Sequence, residues 1–473
     1  MIATYDQADA PGMLPTHRER NRRTVVRLCL AIYCLVIFEG ALRKWAFPQY
    51  QQIIFFLRDP LALCAMAIAY YTRLVTVSRY LLVVVVMGAA LTVMAGLQVI
   101  GYGYHPLAAA YGLRNYLLYA LLAGVIAQTF TRYDLLSIVR LTLYLGIPMA
   151  ILSVAQYTSP ASAAVNKSYS EGEIFTVLDG VVRTTGTFTF TSGMACFLAS
   201  MFSFLAIGFY CRGERPLPSL VPLLVIACAT ATMLAVSGSR TAFTHAGLTV
   251  ATVMLAEMVR APQHRRPHVL VSIPILIALL GAFMALVFPD SLALLWKRQT
   301  NSTAQGENFF LRMLDMVFDG FSSIERTRVL GGGIGLLSPG GAALTGGSTF
   351  NSTEFGYAEY EFPRVVIESG VLGLCYMFLR WLLAIWLLVS SIWCIRRNND
   401  MLPMMLWSAT GVLITVSPMT SQGTANAYGW LFAGWTLAAL ATSRPRLTRT
   451  STPRIPTLHV IEPRTVADVH QPI

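Results

Sequence analysis

The chain has 473 residues, 55% of them hydrophobic and only 12% charged, with 35 Lys and Arg against 23 Asp and Glu, a net charge of +12. Soluble domains carry about 25% charged residues, so this composition excludes an ordinary water-soluble globule and points to a membrane. The basic excess sits in short clusters between apolar runs, the distribution that sets membrane orientation. The aqueous stretches are too short and broken to form a nucleic-acid-binding module.

Residues 1–24 are polar and end in HRERNRR. No small-residue cleavage site follows the apolar run behind them, so that run is read as a first transmembrane helix rather than a removed signal. Apolar runs of about 18–22 residues, enough to cross the hydrocarbon core, recur along the chain. They lie near 25–42, 52–71, 80–100, 112–130, 135–156, 192–210, 218–237, 241–259, 269–288, 366–394, 401–419 and 425–442. The pattern predicts an all-α polytopic membrane protein of about twelve transmembrane helices: nine over 25–288, three over 364–442, and one large extracytoplasmic loop over 289–363 between them. The loop carries GGGIGLLSPGGAALTGG and closes on EFGYAEYEFPRVVIESGVLGL. The tail over 443–473, rich in Pro, Thr and Arg, is expected to be disordered.

With the N-terminus in the cytoplasm, every inner connection carries Arg: Arg73 with Arg79, Arg132, CRGERP, RAPQHRRPH, IRRN and the tail. This is the positive-inside pattern. It puts both termini in the cytoplasm and the long loop outside, in the periplasm of a Gram-negative cell. The cysteines Cys29, Cys34, Cys64, Cys196, Cys211, Cys228, Cys375 and Cys394 fall within or beside apolar runs. They therefore read as packing residues, not as a disulfide framework or a metal site.

Ionisable residues in membrane runs cost about 2.5–3.5 kcal/mol each at the centre, so each needs a partner or a task. Glu39, Arg43, Arg58, Asp59, Arg114, Arg183, Arg240, Arg364 and Glu368 all map to outer helix ends or just beyond. Singly, each is explained by snorkelling or by a structural ion pair, Arg58 with Asp59 foremost. Together they run against the positive-inside rule on that side. An outward cavity lined by Arg is an anion site, and a diphosphate fits because Arg holds phosphate oxygens bidentately. Arg140 is expected to snorkel at the inner end of its helix, whereas Arg380 falls in mid-run without an account. His245 reads as a satisfied packing residue, and His105, beside Pro106 in an outer connection, is a minor candidate.

VVRTTGTFTFTSGMACFLA, 181–199, resembles the Arg-x-x-Gly-Thr-Phe element before a transmembrane helix in the O-antigen ligase and polymerase (Wzy-type) family. VSGSRTAF, 236–243, resembles that family's Ser-x-Ser-Arg turn. GGGIG, followed by RVVIESGVLGL, resembles its Gly-rich element and the Glu-x-Gly-x-x-Gly start of the helix after the large loop. FEGALRKWAFPQYQQIIFFLRDPLAL is similar, more loosely, to exopolysaccharide-polymerase-like relatives.

The resemblance implies a GT-C-like membrane glycosyltransferase of the bacterial inner membrane, inverting and without metal or cofactor. It would pass a glycan from an undecaprenyl-diphosphate carrier to a hydroxyl of a glycan acceptor. WAFPQYQQ, the first outer connection, holds no acidic residue, as a metal-independent enzyme allows. Arg183 and Arg240 are then the first diphosphate-binding candidates, with Arg114 and Arg58 further ones. Arg364 would stabilise the leaving group as well. Many members carry a His at the end of the long loop, but this chain has none between His268 and His459. Glu361 and Glu368, and less so Glu359, are the residues that would orient or deprotonate the acceptor. The missing His leans the reading towards a repeat-unit polymerase of exopolysaccharide or O-antigen, working beside a flippase and a chain-length regulator. A ligase attaching finished glycan to lipid A-core or protein is the alternative. A transporter or lipid-carrier flippase is the rival from another class, disfavoured by the absence of repeats and of paired broken helices.

Overall fold

A chain at membrane depth must satisfy its backbone polar groups within itself, and helices do so turn by turn. The computed structural model describes residues 16–167, 182–291, 293, 296, 297, 300, 309–325, 327–345 and 360–443, and among these it is helical without a β-strand. The first helices are α1 (His17–Ala41), α2 (Gln51–Phe56), α3 (Arg58–Tyr71), α4 (Arg79–Tyr102), α5 (Pro106–Thr129) and α6 (Arg132–Thr158). They are followed by α7 (Thr191–Tyr210), α8 (Leu220–Val236), α9 (Arg240–Val259), α10 (Pro267–Val287), α11 (Phe309–Ser322) and α12 (Pro339–Leu344). The last are α13 (Glu361–Asn398), α14 (Leu402–Thr415) and α15 (Gly423–Thr442).

Helices occupy all the predicted apolar runs. Among the described residues eight are long and apolar enough to cross a membrane: 17–46, 48–71, α4, α5, α6, α7, α9 and α13. Shorter apolar helices are α8, the part of α10 from Pro274, and α14. The chain is thus an all-α, polytopic bundle. Residues 1–15 and the tail from 444, including most of the segment expected to be disordered, lie outside the described residues.

α1 starts at His17, inside the stretch read as a polar leader, for a local reason. The Thr16 hydroxyl accepts from the Glu19 N–H, and Glu19 pairs at helical spacing with Arg22 and Arg23, 2.8 Å each. The basic connections gather at this end of the bundle. Arg22 reaches Asp134 at 2.6 Å, Arg132 joins Glu214 and Asp400 at 2.8 Å each, and Arg260 donates to Asn399. Arg140 is exposed on α6 and stacks on Tyr144.

The bundle centre is aromatic and small-residue packing between α15 and its neighbours. Tyr33, Phe204, Phe432 and Trp435 interlock edge to face or stacked. Cys29 is buried in the same core.

The apolar run at 366–394, expected to be one transmembrane helix, is broken. Gly370 adopts φ 54°, ψ −134° inside α13. In a continuous helix Glu361 and Arg380 would stand about 28 Å apart, yet their carboxylate and guanidinium meet at 2.8 Å. Phe362 packs on Trp381 with ring centroids 5.0 Å apart. Residues 361–369 therefore fold back beside 371–381 as a helical hairpin with its apex at Gly370. This accounts for Arg380, which is 1% exposed and also donates to the Ile414 carbonyl.

Breaking one partner of such a pair leaves a buried charge alone, at a cost of about 3–5 kcal/mol. Arg380→Met or Glu361→Gln should each lower the thermal unfolding midpoint in detergent sharply. The double variant should recover a large share of the loss, because it removes both charges.

Candidate functional site

The hairpin rests against the connection between α14 and α15. α14 ends at Thr415 after 14 residues, about 21 Å of helix, short of the roughly 30 Å hydrocarbon core. The turn over 416–422 is therefore recessed. Depth along α5 agrees: Asn115, about 13 Å from the start of that helix, donates to the Thr420 carbonyl at 2.8 Å.

Charged side chains reach this turn from two flanks. On one side, the Glu361 carboxylate accepts from the Thr420 N–H at 2.9 Å and the Thr420 hydroxyl at 3.0 Å. One turn along the same half-helix, the buried Arg364 donates to the Ser421 hydroxyl. On the other side stands an arginine cluster around the Phe55 ring, with Arg43, Arg58 and Arg114 at 5.4, 5.9 and 5.2 Å from its centroid. A Cβ on Gly423, at the start of α15, would lie 3.2 Å from Arg58 Nη2, so the guanidinium abuts this turn.

The ion pairing within the cluster differs from the expected Arg58–Asp59 pair. Asp59 is held by Arg114 through two bonds of 2.7 Å. Arg58 instead meets Glu39 at 2.9 Å, and Glu39 also takes Arg43 at 3.1 Å. Neighbouring residues on one helix start point different ways, so Arg58 and Asp59 each find a partner on another helix. Arg58 is wholly buried, and its Nη1 and Nη2 make no hydrogen bond among the described residues.

The second group is built on the turn before α7. The Gln156 carboxamide oxygen accepts from the N–H of Thr185 (3.1 Å) and Gly186 (2.8 Å). Lys44 donates to the Thr185 hydroxyl and to the Gly186 carbonyl at 2.9 Å. Thr184 ties this turn to the Val236 carbonyl at 3.2 Å, and Ser239 caps α9 through the Ala242 N–H. Arg183 and Arg240 are thus brought onto adjoining turns, both partly exposed. The Thr187 hydroxyl bonds the Ile37 carbonyl, which seats the turn at the end of α1, beside Glu39 and the segment Leu42–Ala46 that carries Arg43.

The glycine-rich motif and the Glu-x-Gly-x-x-Gly motif form one unit. Gly332 N–H donates to the Ile367 carbonyl at 2.6 Å, Gly333 N–H to Glu368 at 3.1 Å, and Val371 N–H to Val329 at 3.2 Å. These bonds cap both sides of the helix break. Gln98 closes the arrangement from α4, donating to the Glu368 carbonyl at 3.0 Å and accepting from Ile334 N–H at 2.9 Å. A Cβ at Gly331 would sit 2.4 Å from the Glu368 carbonyl oxygen, and one at Gly370 only 2.1 Å from that of Val329. The Glu368 carboxylate, 1% exposed, accepts from Leu337 N–H at 2.8 Å and from Tyr116 at 3.4 Å.

Glu361 and Glu368 are therefore engaged in holding the hairpin and the loop, a task their sequence positions do not reveal. Glu359 lies outside the described residues. His105 is exposed at the start of α5. His245 is buried as read but not satisfied, since its Nδ1 has no partner among the described residues. Lys44, Asn115, Tyr116, Gln98 and Gln156 were not singled out from sequence. Their signal was available: polar side chains inside apolar runs need partners there.

Comparison of the chain with protein-family models, with curated proteins and with solved structures finds no match.

Gly370→Ala should cut the yield of folded protein and lower its detergent melting midpoint, because the new Cβ meets backbone and φ is positive. Gly247→Ala, where a Cβ meets nothing within 4 Å, is the control and should behave like the parent. Equal stability of the two variants would refute the capped break.

Proposed function

We propose that this chain is a membrane glycosyltransferase that polymerises oligosaccharide repeat units carried on undecaprenyl diphosphate into exopolysaccharide or O-antigen. The observation that carries this reading is the convergence on one recessed turn. Arg364 reaches it on a folded-back half-helix, while Arg58 abuts it and Asn115, next to Arg114, binds it from the opposite flank. The Arg58 Nη1 and Nη2 groups, which make no hydrogen bond among the described residues, are suited to an anion that brings its own acceptor oxygens, as a diphosphate does.

In the proposed reaction the acceptor hydroxyl attacks the anomeric carbon of the donor sugar, the carrier diphosphate leaves with the bonding electron pair, and the hydroxyl proton passes to water. Negative charge grows on the phosphate oxygens as that bond breaks. Fixed guanidinium groups lower the barrier without reorganising. Arg183, Arg240 and Arg364 are assigned to this task, with Arg58 and Arg114 as further diphosphate-binding groups. Glu361 and Glu368 position the hairpin that presents Arg364; as assigned here, their first role is geometric. Twelve membrane crossings, a GT-C-like arrangement, cytoplasmic termini and a bacterial inner-membrane location complete the proposal. The alternation of helices between one basic end and one arginine-ringed end supports it.

Proteoliposomes supplied with a lipid-diphosphate-linked repeat unit test the reaction. Wild-type protein should give a ladder of oligomers, and Arg183→Ala, Arg240→Ala and Arg364→Ala should each reduce it by about a hundredfold or more while the protein still inserts and remains monodisperse. A full ladder from all three variants would remove the leaving-group role. A single transfer without a ladder would identify a ligase, and movement of the lipid without glycan growth a flippase. For orientation, Asp319→Cys, exposed on α11, should react with an impermeant thiol reagent added outside spheroplasts, against the parent chain as background. Reaction only after lysis would invert the topology.

A further inference from the structure

Beneath the candidate site, and independent of the reading above, lies a cavity of about 400 Å³ between α4, α5, α13 and α15. That volume falls within the range of sites for small ligands, about 300–1,000 Å³. Its body is hydrocarbon: Val83 and Met87 from α4, Leu117 from α5, Leu379 and Leu383 from α13. Arg79, exposed at the start of α4, stands at one end. The other end is lined by Arg380, Tyr376 and Trp430. The side between α4 and α13 faces outward, since Val83 is 46%, Leu382 60% and Trp386 53% exposed.

Water is a poor occupant. A buried water needs two to four polar partners, and the polar groups near the body are committed. Tyr80 donates to the Ala120 carbonyl at 2.9 Å, and Tyr116 is engaged with Ser369 at 3.1 Å. An empty apolar cavity this large would forfeit dispersion contacts along all its walls. At the deep end Trp430 Nε1 and the Tyr376 hydroxyl have no hydrogen-bond partner among the described residues, so a single water has its two partners there but none along the apolar body. An occupant with a long hydrocarbon chain along the body and an anionic group near Arg79 matches the apolar walls and the cationic mouth.

We propose that this cavity binds one acyl chain of an anionic phospholipid from the leaflet on the Arg79 side, with the phosphate at Arg79. The chain enters sideways between α4 and α13, so no gate is needed. Lipid there would pack against Arg380, whose guanidinium also holds Glu361, and would thus brace the hairpin under the candidate site. Anionic rather than zwitterionic lipid is favoured because a surface Arg near a membrane gains from negative headgroups.

The full chain in phosphatidylcholine nanodiscs containing a phosphatidylglycerol with a diazirine near the end of its acyl chain tests this. After irradiation, labelled peptides should include 79–87 and 379–386, beyond the general labelling of lipid-facing residues such as Val389 and Trp393. Leu383→Trp, which fills the cavity, should lower labelling of 79–87 by about tenfold while leaving the general labelling unchanged. Because Leu383→Trp bears on folding, Arg79→Gln, at the exposed mouth, provides a second variant. It should make phosphatidylglycerol and phosphatidylcholine probes label equally. Labelling of the wild type confined to the general lipid-facing surface would overturn the proposal. So would preferential labelling by a diazirine polyprenyl diphosphate, or wild-type labelling that does not distinguish the two headgroups.

Discussion

A backbone carbonyl without a donor at membrane depth costs several kcal/mol, and the rest of this fold depends on how one set of them is satisfied. Breaking α13 at Gly370 frees the carbonyls of Ile367 and Glu368 and the N–H of Val371. The glycine-rich segment supplies the missing partners, backbone to backbone, with Gln98 adding a side-chain donor. Glycine is required on both faces of this contact, because side chains would hold the two backbones apart. Two motifs separated in sequence by a long loop are therefore a single capping device.

The break in turn decides where charge is allowed. Folding 361–369 back against 371–381 brings Glu361 to Arg380, so a guanidinium in the middle of an apolar run is neutralised and hydrogen-bonded. An isolated charge there would be expelled or would pull the helix out of register. The same fold-back carries Arg364 inward to Ser421 and so creates one flank of the recess. The opposite flank has a different origin. Glu39, Asp59 and Phe55 hold Arg43, Arg58 and Arg114 as a cluster with one more cation than anion, and they orient it toward the start of α15.

How much of this was legible in the sequence follows from the range of the interactions. Helix positions and the alternation of basic connections are local or periodic properties, and the apolar runs and the Arg clusters between them report them directly. The hairpin in α13 is not local. Val366 to Leu374 reads as the start of a membrane helix, and only two charges in oily surroundings, Glu368 and the mid-run Arg380, mark the place. A charge without an account in the sequence was the signal of a missing contact. The pairing of Arg58 was misread for a related reason. Adjacent residues on a helix project about 100° apart, so Arg58 and Asp59 do not face each other, and each finds its partner through tertiary packing. The engagement of Glu361 and Glu368 was equally invisible, since a carboxylate near a motif reads the same whether it binds a substrate or the backbone of a loop.

The polar residues with no assigned part, Lys44, Asn115, Gln98 and Gln156, show how the recess keeps its shape. Each sits on one helix and bonds the backbone of a turn belonging to another. Turns before α7 and α15 and the glycine loop are thereby tied to neighbouring helices. Preorganisation of this kind matters for any anion-handling site, because donors already held in place need not reorganise when charge develops. It also sets a limit on catalysis by Glu361 and Glu368. A carboxylate that must release a backbone N–H before accepting a proton would loosen the arginine it helps to position, so in this fold positioning and proton transfer compete for the same two residues.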